Sequence, residues 1–108
     1  MPLLVDRIAG FDEWPAVGPE RLKAVFPNGV RAEFEKFYFE GAQAYSPVNM
    51  EALLKLVPPS HVLFGTDYDR FPISHSVRLF GALKLDPKIR RGIEHENAEA
   101  LIPGLKRS

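Results

Sequence analysis

Two apolar runs with one helical stripe between them constrain this chain more than anything else in it. Phe37-Tyr38-Phe39 has the aromatic character of a strand core and ends in Glu40-Gly41-Ala42-Gln43. Ser46-Pro47 then supplies an N-cap followed by a first-turn proline. Met50, Leu53, Leu54 and Val57 recur at i, i+3, i+4 and i+7, the stripe of a helix lying on a sheet, and Pro58-Pro59-Ser60 ends it. His61-Val62-Leu63-Phe64 reads as a second strand, apolar enough to be covered on both faces as parallel strands are. Strand, helix and strand in that order make a βαβ unit, whose crossover is expected to be right-handed.

Around this unit the chain reads as helices and loops. Pro2 to Phe11 fits a short helix with Leu4, Ile8 and Phe11 on one face. Asp12 to Pro19 reads as loop, and Pro19 suits a first helical position before Leu22, Val25 and Phe26. Pro27-Asn28-Gly29 stops that turn, and Val30 to Lys36 is ambiguous, with a helical turn as its regular reading. After a loop from Gly65 to Ser74, Val77, Phe80 and Leu83 suggest a helix. Asp86-Pro87 caps another carrying Ile89 and Ile93, and Asn97-Ala98 reads as a break and recapping before Leu101, Ile102 and Leu105. Trp14, Phe11 and Phe26 read as core or interface. Two parallel strands alone expose both sheet edges and make a sheet too narrow to bury its helices.

The chain has 108 residues, a length for one small domain. Lys plus Arg and Asp plus Glu number 14 each, and the basic residues are scattered, so no electrostatic field favours nucleic acid or an anionic membrane. The absence of cysteine removes disulfides, thiolate metal sites and cysteine nucleophiles. Met1-Pro-Leu-Leu-Val-Asp-Arg has too short an apolar run for an export signal, and no segment reaches bilayer-spanning length. A reducing cytoplasm is the expected compartment.

The chemistry concentrates where the second strand ends. His61-Val-Leu-Phe-Gly-Thr-Asp67-Tyr-Asp69 carries an apolar run directly into a carboxylate, which needs a cation, hydrogen-bond donors or solvent there. Catalytic groups and ligands gather at the carboxyl ends of parallel strands, and a carboxylate at that rim serves as metal ligand or general base. The other reading makes Asp67 a turn cap that accepts backbone N–H bonds. Glu40 ends the first strand at the same rim, where it either joins Asp67, caps a turn or is solvated. Asp67 and Asp69 form an Asp-x-Asp similar to aspartyl-phosphate hydrolases, but Phe71 stands where those enzymes carry Thr or Val, and no acidic pair after Arg70 can be placed in their downstream role. His61, His75 and His95 lack the spacing of a metal cage. His61 begins a strand remote from the rim, His75 approaches the rim only through its loop, and His95 sits on a charged helical face.

Leu63-Phe64-Gly65-Thr66-Asp67-Tyr68 resembles the last-strand motif of the amidohydrolase-related metalloenzymes, in the branch with aminocarboxymuconate-semialdehyde and methylsalicylate decarboxylases. Phe37-Tyr38-Phe39-Glu40-Gly41-Ala42 is similar to the preceding strand, and Leu53 through Ser60 to the intervening helix and turn. Ile93 through Asn97-Ala98 to Leu101 resembles the closing Asn-Ala-x-x-Leu helix, and Pro2 to Ile8 the helix after a His-Gly-Gly segment. The resemblance implies a (β/α)8 barrel, of which this chain would be the last two parallel strands with flanking helices, residues 1–108 forming a C-terminal segment. It also implies a zinc-type divalent ion at the rim, contacted by Asp67 directly or through bound water, and a small cyclic or aromatic carboxylic acid as substrate. The family's first-strand His-x-His and middle-strand histidines have no counterparts here. Asp69 replaces a usual proline, and Glu40-Gly41 replaces a usual Asp-Thr.

Three readings follow. The first is the C-terminal part of a metal-dependent hydrolase or decarboxylase, inactive and metal-free as an isolated chain because one carboxylate does not hold zinc. The second is a non-catalytic remnant that pairs with its own copy or with a complementing barrel fragment. The third is an independent α/β interaction module.

Overall fold

The computed structural model describes residues 2–13 and 16–106; Trp14, and the Leu4 and Phe11 side chains, lie outside the described residues. The chain divides into two units, Met1–Phe37 and Tyr38–Ser108. In the first, α1 (Pro2–Ala9) runs into a tighter turn, and α2 (Gly18–Val25) carries Pro19 in its first turn as the sequence requires. Gly18 and Gly29 take φ of +77° and +89°, which only glycine adopts freely, and so bound α2 and introduce α3 (Val30–Phe34). The ambiguous stretch is therefore helical. Val30 and Phe34, four residues apart, are buried, as is Val5. Val25 is exposed, because Leu22 and Phe26 at i and i+4 take the half-buried side instead.

The second unit holds the βαβ pattern. β1 (Phe39–Glu40) and β2 (Val62–Leu63) pair in parallel with register Phe39↔Val62 and Glu40↔Leu63. Between them lies α4 (Pro47–Leu56), whose N-cap Ser46 accepts a hydrogen bond from the Asn49 amide at 3.2 Å. Met50 and Val57 from the expected stripe are buried, with Leu53 and Leu54 half-buried. The strands are shorter than the aromatic run suggested. Phe37 and Tyr38 lie outside the ladder and are exposed, because Phe37 turns edge-on to Phe34 and Tyr38 stacks on His61 at 4.3 Å.

α5 (Ile73–Gly81), α6 (Pro87–Arg91) and α7 (Asn97–Leu101) complete the unit. Asp86 caps α6 by accepting from the Lys88 amide at 2.9 Å. α5 turns Ser76 and Phe80 inward, at i and i+4, and Leu83 is buried just past its end; Val77 faces outward, against the expected stripe. Asn97-Ala98 is not a break. A π-helical turn over Gly92–Glu96 joins α6 to α7 without interruption, and Asn97 Nδ2 then donates to Pro59 O at 2.8 Å and to Val62 O at 2.7 Å. This is one fewer open position on the outer edge of β2 than a bare two-stranded sheet would leave. Leu101, Ile102 and Leu105 are exposed.

Beneath the sheet, Tyr45, Phe64 and Phe80 form an aromatic triad with centroid separations of 5.4–5.5 Å. Arg90 covers it, with its guanidinium 5.0 Å from the Phe80 ring, and donates to the Phe80 and Leu83 carbonyls at the end of α5. The α/β class with two parallel strands and flanking helices is thus present. Among the described residues no helix is long and apolar enough to cross a membrane.

Candidate functional site

The carboxyl ends of β1 and β2 are built from two loops that grip each other. β1 leaves the sheet after Gly41, whose amide still donates to Leu63 O at 3.2 Å. In a parallel ladder, alternate residues of a strand turn their polar groups to the same edge, so Gly65, like Leu63, faces β1. No β1 residue remains opposite it. The Tyr45 hydroxyl fills the position instead, accepting from Gly65 N at 2.8 Å and donating to Gly65 O at 2.7 Å.

Both glycines of this rim are closely approached by another side chain. A Cβ on Gly41 would run into the Tyr45 ring, and a Cβ on Gly65 would occupy the space of the Glu40 carboxylate. Tyr45 is 1% exposed, and burial raises the pKa of its hydroxyl; the Gly65 backbone bond opposes that shift and the nearby Glu40 charge adds to it.

The next link is Gln43 Nε2 to Thr66 O at 3.5 Å. Gln43 and Asp67 are the non-glycine residues with positive φ among those described, at +62° and +55°. Left-handed backbone costs an L-residue about 1–2 kcal/mol, and such residues cluster where function demands them. Here both stand on the rim, one in each loop.

The Asp67 side chain does not cap the turn that follows it. The turn that follows is closed by its backbone, with Arg70 N and Phe71 N both donating to Asp67 O at 3.0 and 3.3 Å. Among the described residues nothing hydrogen-bonds its carboxylate, and the residue is exposed. The side chain is not spent on capping.

The other candidates separate from it. Glu40 is at the same rim, but packs its carboxylate against Gly65. Asp69 is exposed within the turn. His61 does not begin the strand as expected: it ends a tight helical turn, Pro59–His61, just before β2, and stacks on Tyr38. His75 lies within α5 with Nδ1 3.5 Å from Arg78 Nη2, and His95 pairs with Glu99 at 2.9 Å on its own helical run. Among the described residues no three His, Cys, Asp or Glu side chains converge as a metal cage. Sequence reasoning missed Tyr45 and Asn97. The signal for Tyr45 was the pair of strand-end glycines, Gly41 and Gly65, which mark a close approach by something bulky.

A family profile described as amidohydrolase matches residues 8–104, which takes in both strands, the rim loops and the closing helices. The chain belongs to the amidohydrolase family. Among its curated amidohydrolase relatives, the 6-methylsalicylic acid decarboxylase of Penicillium expansum is 34% identical over 73 residues, covering 65% of this chain and 22% of that protein. The 6-methylsalicylic acid decarboxylase acuB of Aspergillus aculeatus is 34% identical over 114 residues, covering 100% of this chain and 34% of that protein. The chain therefore spans about a third or less of the amidohydrolase-family relatives it matches. No solved structure is a significant match.

Proposed function

We propose that this chain forms one wall of the rim of a (β/α)8 barrel that decarboxylates a small aromatic carboxylic acid with a divalent, zinc-type metal, and that Asp67 is the carboxylate this wall contributes. The observation that carries the reading is the uncommitted Asp67 carboxylate at the carboxyl end of a parallel strand pair, held in a left-handed conformation by two interlocked loops. The named activity of both relatives supports the reaction class.

The described residues do not make a complete metal site, since catalytic zinc commonly takes about three protein ligands and the histidines here are engaged elsewhere. The remaining ligands would come from the rest of the barrel, here supplied as a complementing segment. A two-stranded sheet with Val48, Ile73, Val77, Leu101 and Ile102 exposed is suited to such a partner.

The test mixes the purified chain with a polypeptide carrying the remaining two thirds of the Aspergillus relative, and follows carbon dioxide release from 6-methylsalicylate with added zinc. Turnover is expected in the mixture alone, with a loss of about 10²–10⁴-fold for Asp67→Asn. Turnover unaffected by Asp67→Asn, or a chain that remains a monomer and joins no complex, overturns the proposal.

A further inference from the structure

We propose that Tyr45 is a positioning residue for Asp67, acting through Gly65 and Thr66. The inference rests on the reading of Asp67 as the reacting rim carboxylate. Two separate features of Tyr45 support it. Its ring is fixed by stacking on Phe64 and edge contact with Phe80, so the hydroxyl has little freedom to move. That hydroxyl then satisfies both backbone groups of one residue, as a neighbouring strand would.

The consequence runs two residues along the chain. β2 ends at Leu63, so the path from Phe64 to Asp67 has no ladder to hold it. Tyr45 pins Gly65, and Gln43, two residues before Tyr45, reaches Thr66. Thr66 Oγ1 in turn accepts from the Tyr68 amide at 3.3 Å, on the far side of Asp67. Asp67 is thus bracketed by residues whose positions are set from the β1–α4 loop, and its positive φ persists because both sides are constrained. The Glu40 carboxylate lies against Gly65, in the space a side chain there would take.

Tyr45→Phe keeps the ring and deletes the hydroxyl. Phe80→Leu is the control: it weakens the same aromatic packing and leaves the hydroxyl in place. Nuclear magnetic resonance of the full chain should show Gly65 amide exchange rising about tenfold in Tyr45→Phe relative to α4 amides, as expected for one lost hydrogen bond, with the Asp67 amide and carboxyl signals displaced. Phe80→Leu should leave the Asp67 signals in place. In the unsubstituted chain the Gly65 amide should be protected as well as those of α4. An unprotected Gly65 amide in that chain overturns the proposal even if Tyr45→Phe fails to fold. So do unmoved Asp67 signals in Tyr45→Phe, or signals that move equally in Phe80→Leu.

In the reconstituted mixture, Tyr45→Phe should lower kcat and leave KM near its original value. The two ideas fail separately. Full turnover by Asp67→Asn removes the functional reading whatever Tyr45 does; loss of turnover in Asp67→Asn, with kcat unchanged in Tyr45→Phe, removes only the positioning role.

Discussion

Asn97 Nδ2 donates to the Val62 carbonyl at 2.7 Å, joining the start of the last helix to a strand residue 35 positions earlier in the chain. Val62 is fully buried, and the same nitrogen also serves Pro59 O. The π-helical turn over Gly92–Glu96 shifts the helix register so that Asn97 meets both carbonyls, and Gly92 leaves room for the amide.

Removing that amide strands a buried acceptor. Asn97→Ala should therefore cost about 1–3 kcal/mol of unfolding free energy in urea titrations. Asn97→Asp should cost at least as much, since a carboxylate cannot donate and would face two carbonyl oxygens. Equal stability of Asn97→Asp and the parent chain would show that the two carbonyls are served in another way.

The glycines at the rim should respond unequally to an added methyl. At Gly41 the obstacle is the buried Tyr45 ring, itself packed against Phe64 and Phe80, and it has nowhere to go. Gly41→Ala should cost about 1–3 kcal/mol by overpacking. At Gly65 the obstacle is the end of the flexible Glu40 side chain, so Gly65→Ala should cost less. A double-mutant cycle with Glu40→Ala should recover part of that loss, with a coupling of about 0.5 kcal/mol or more.

Tyr45 also gives the unit an alkaline limit. Its hydroxyl pKa is raised above 10.0 in the folded chain, first by burial and then by the Glu40 charge, against the Gly65 bond. The folded state thus holds its proton longer than the unfolded state does. The stabilising contribution is complete below the unfolded value and disappears as pH climbs through the folded one. Urea titrations at about pH 8 and about pH 11 should show the parent chain losing stability relative to Tyr45→Phe over that interval, near the ordinary tyrosine pKa. A constant difference between the two proteins would mean that the hydroxyl titrates alike in the folded and unfolded chains.

Much of this was legible in the residues. The stripe Met50, Leu53, Leu54 and Val57, with Ser46-Pro47 before it and Pro58-Pro59 after, defined α4 because helical periodicity and capping chemistry are local. Asp67 was legible as a rim carboxylate because an apolar strand that runs into an acid is locally unfavourable. The long-range clasps were not legible. Tyr45 to Gly65 and Asn97 to Val62 join residues 20 and 35 apart, and no local pattern encodes which hydroxyl or amide will close which strand edge. The aromatic run Phe37 to Phe39 misled for a related reason. Strand propensity records fit to a pleated surface, and here Phe34 and His61 claim Phe37 and Tyr38 before the ladder can.

Ser76 offers the last test. It sits on the inward face of α5, one turn before Phe80, and is 0% exposed. Its Oγ has no hydrogen-bond partner among the described residues. A hydroxyl removed from water without a partner costs about 1–3 kcal/mol, while the methyl of alanine fits the same space with nothing to desolvate. Ser76→Ala should therefore stabilise the isolated chain, by about 1 kcal/mol in urea titrations. Unchanged or lower stability in Ser76→Ala would show that the hydroxyl is served inside the folded chain after all.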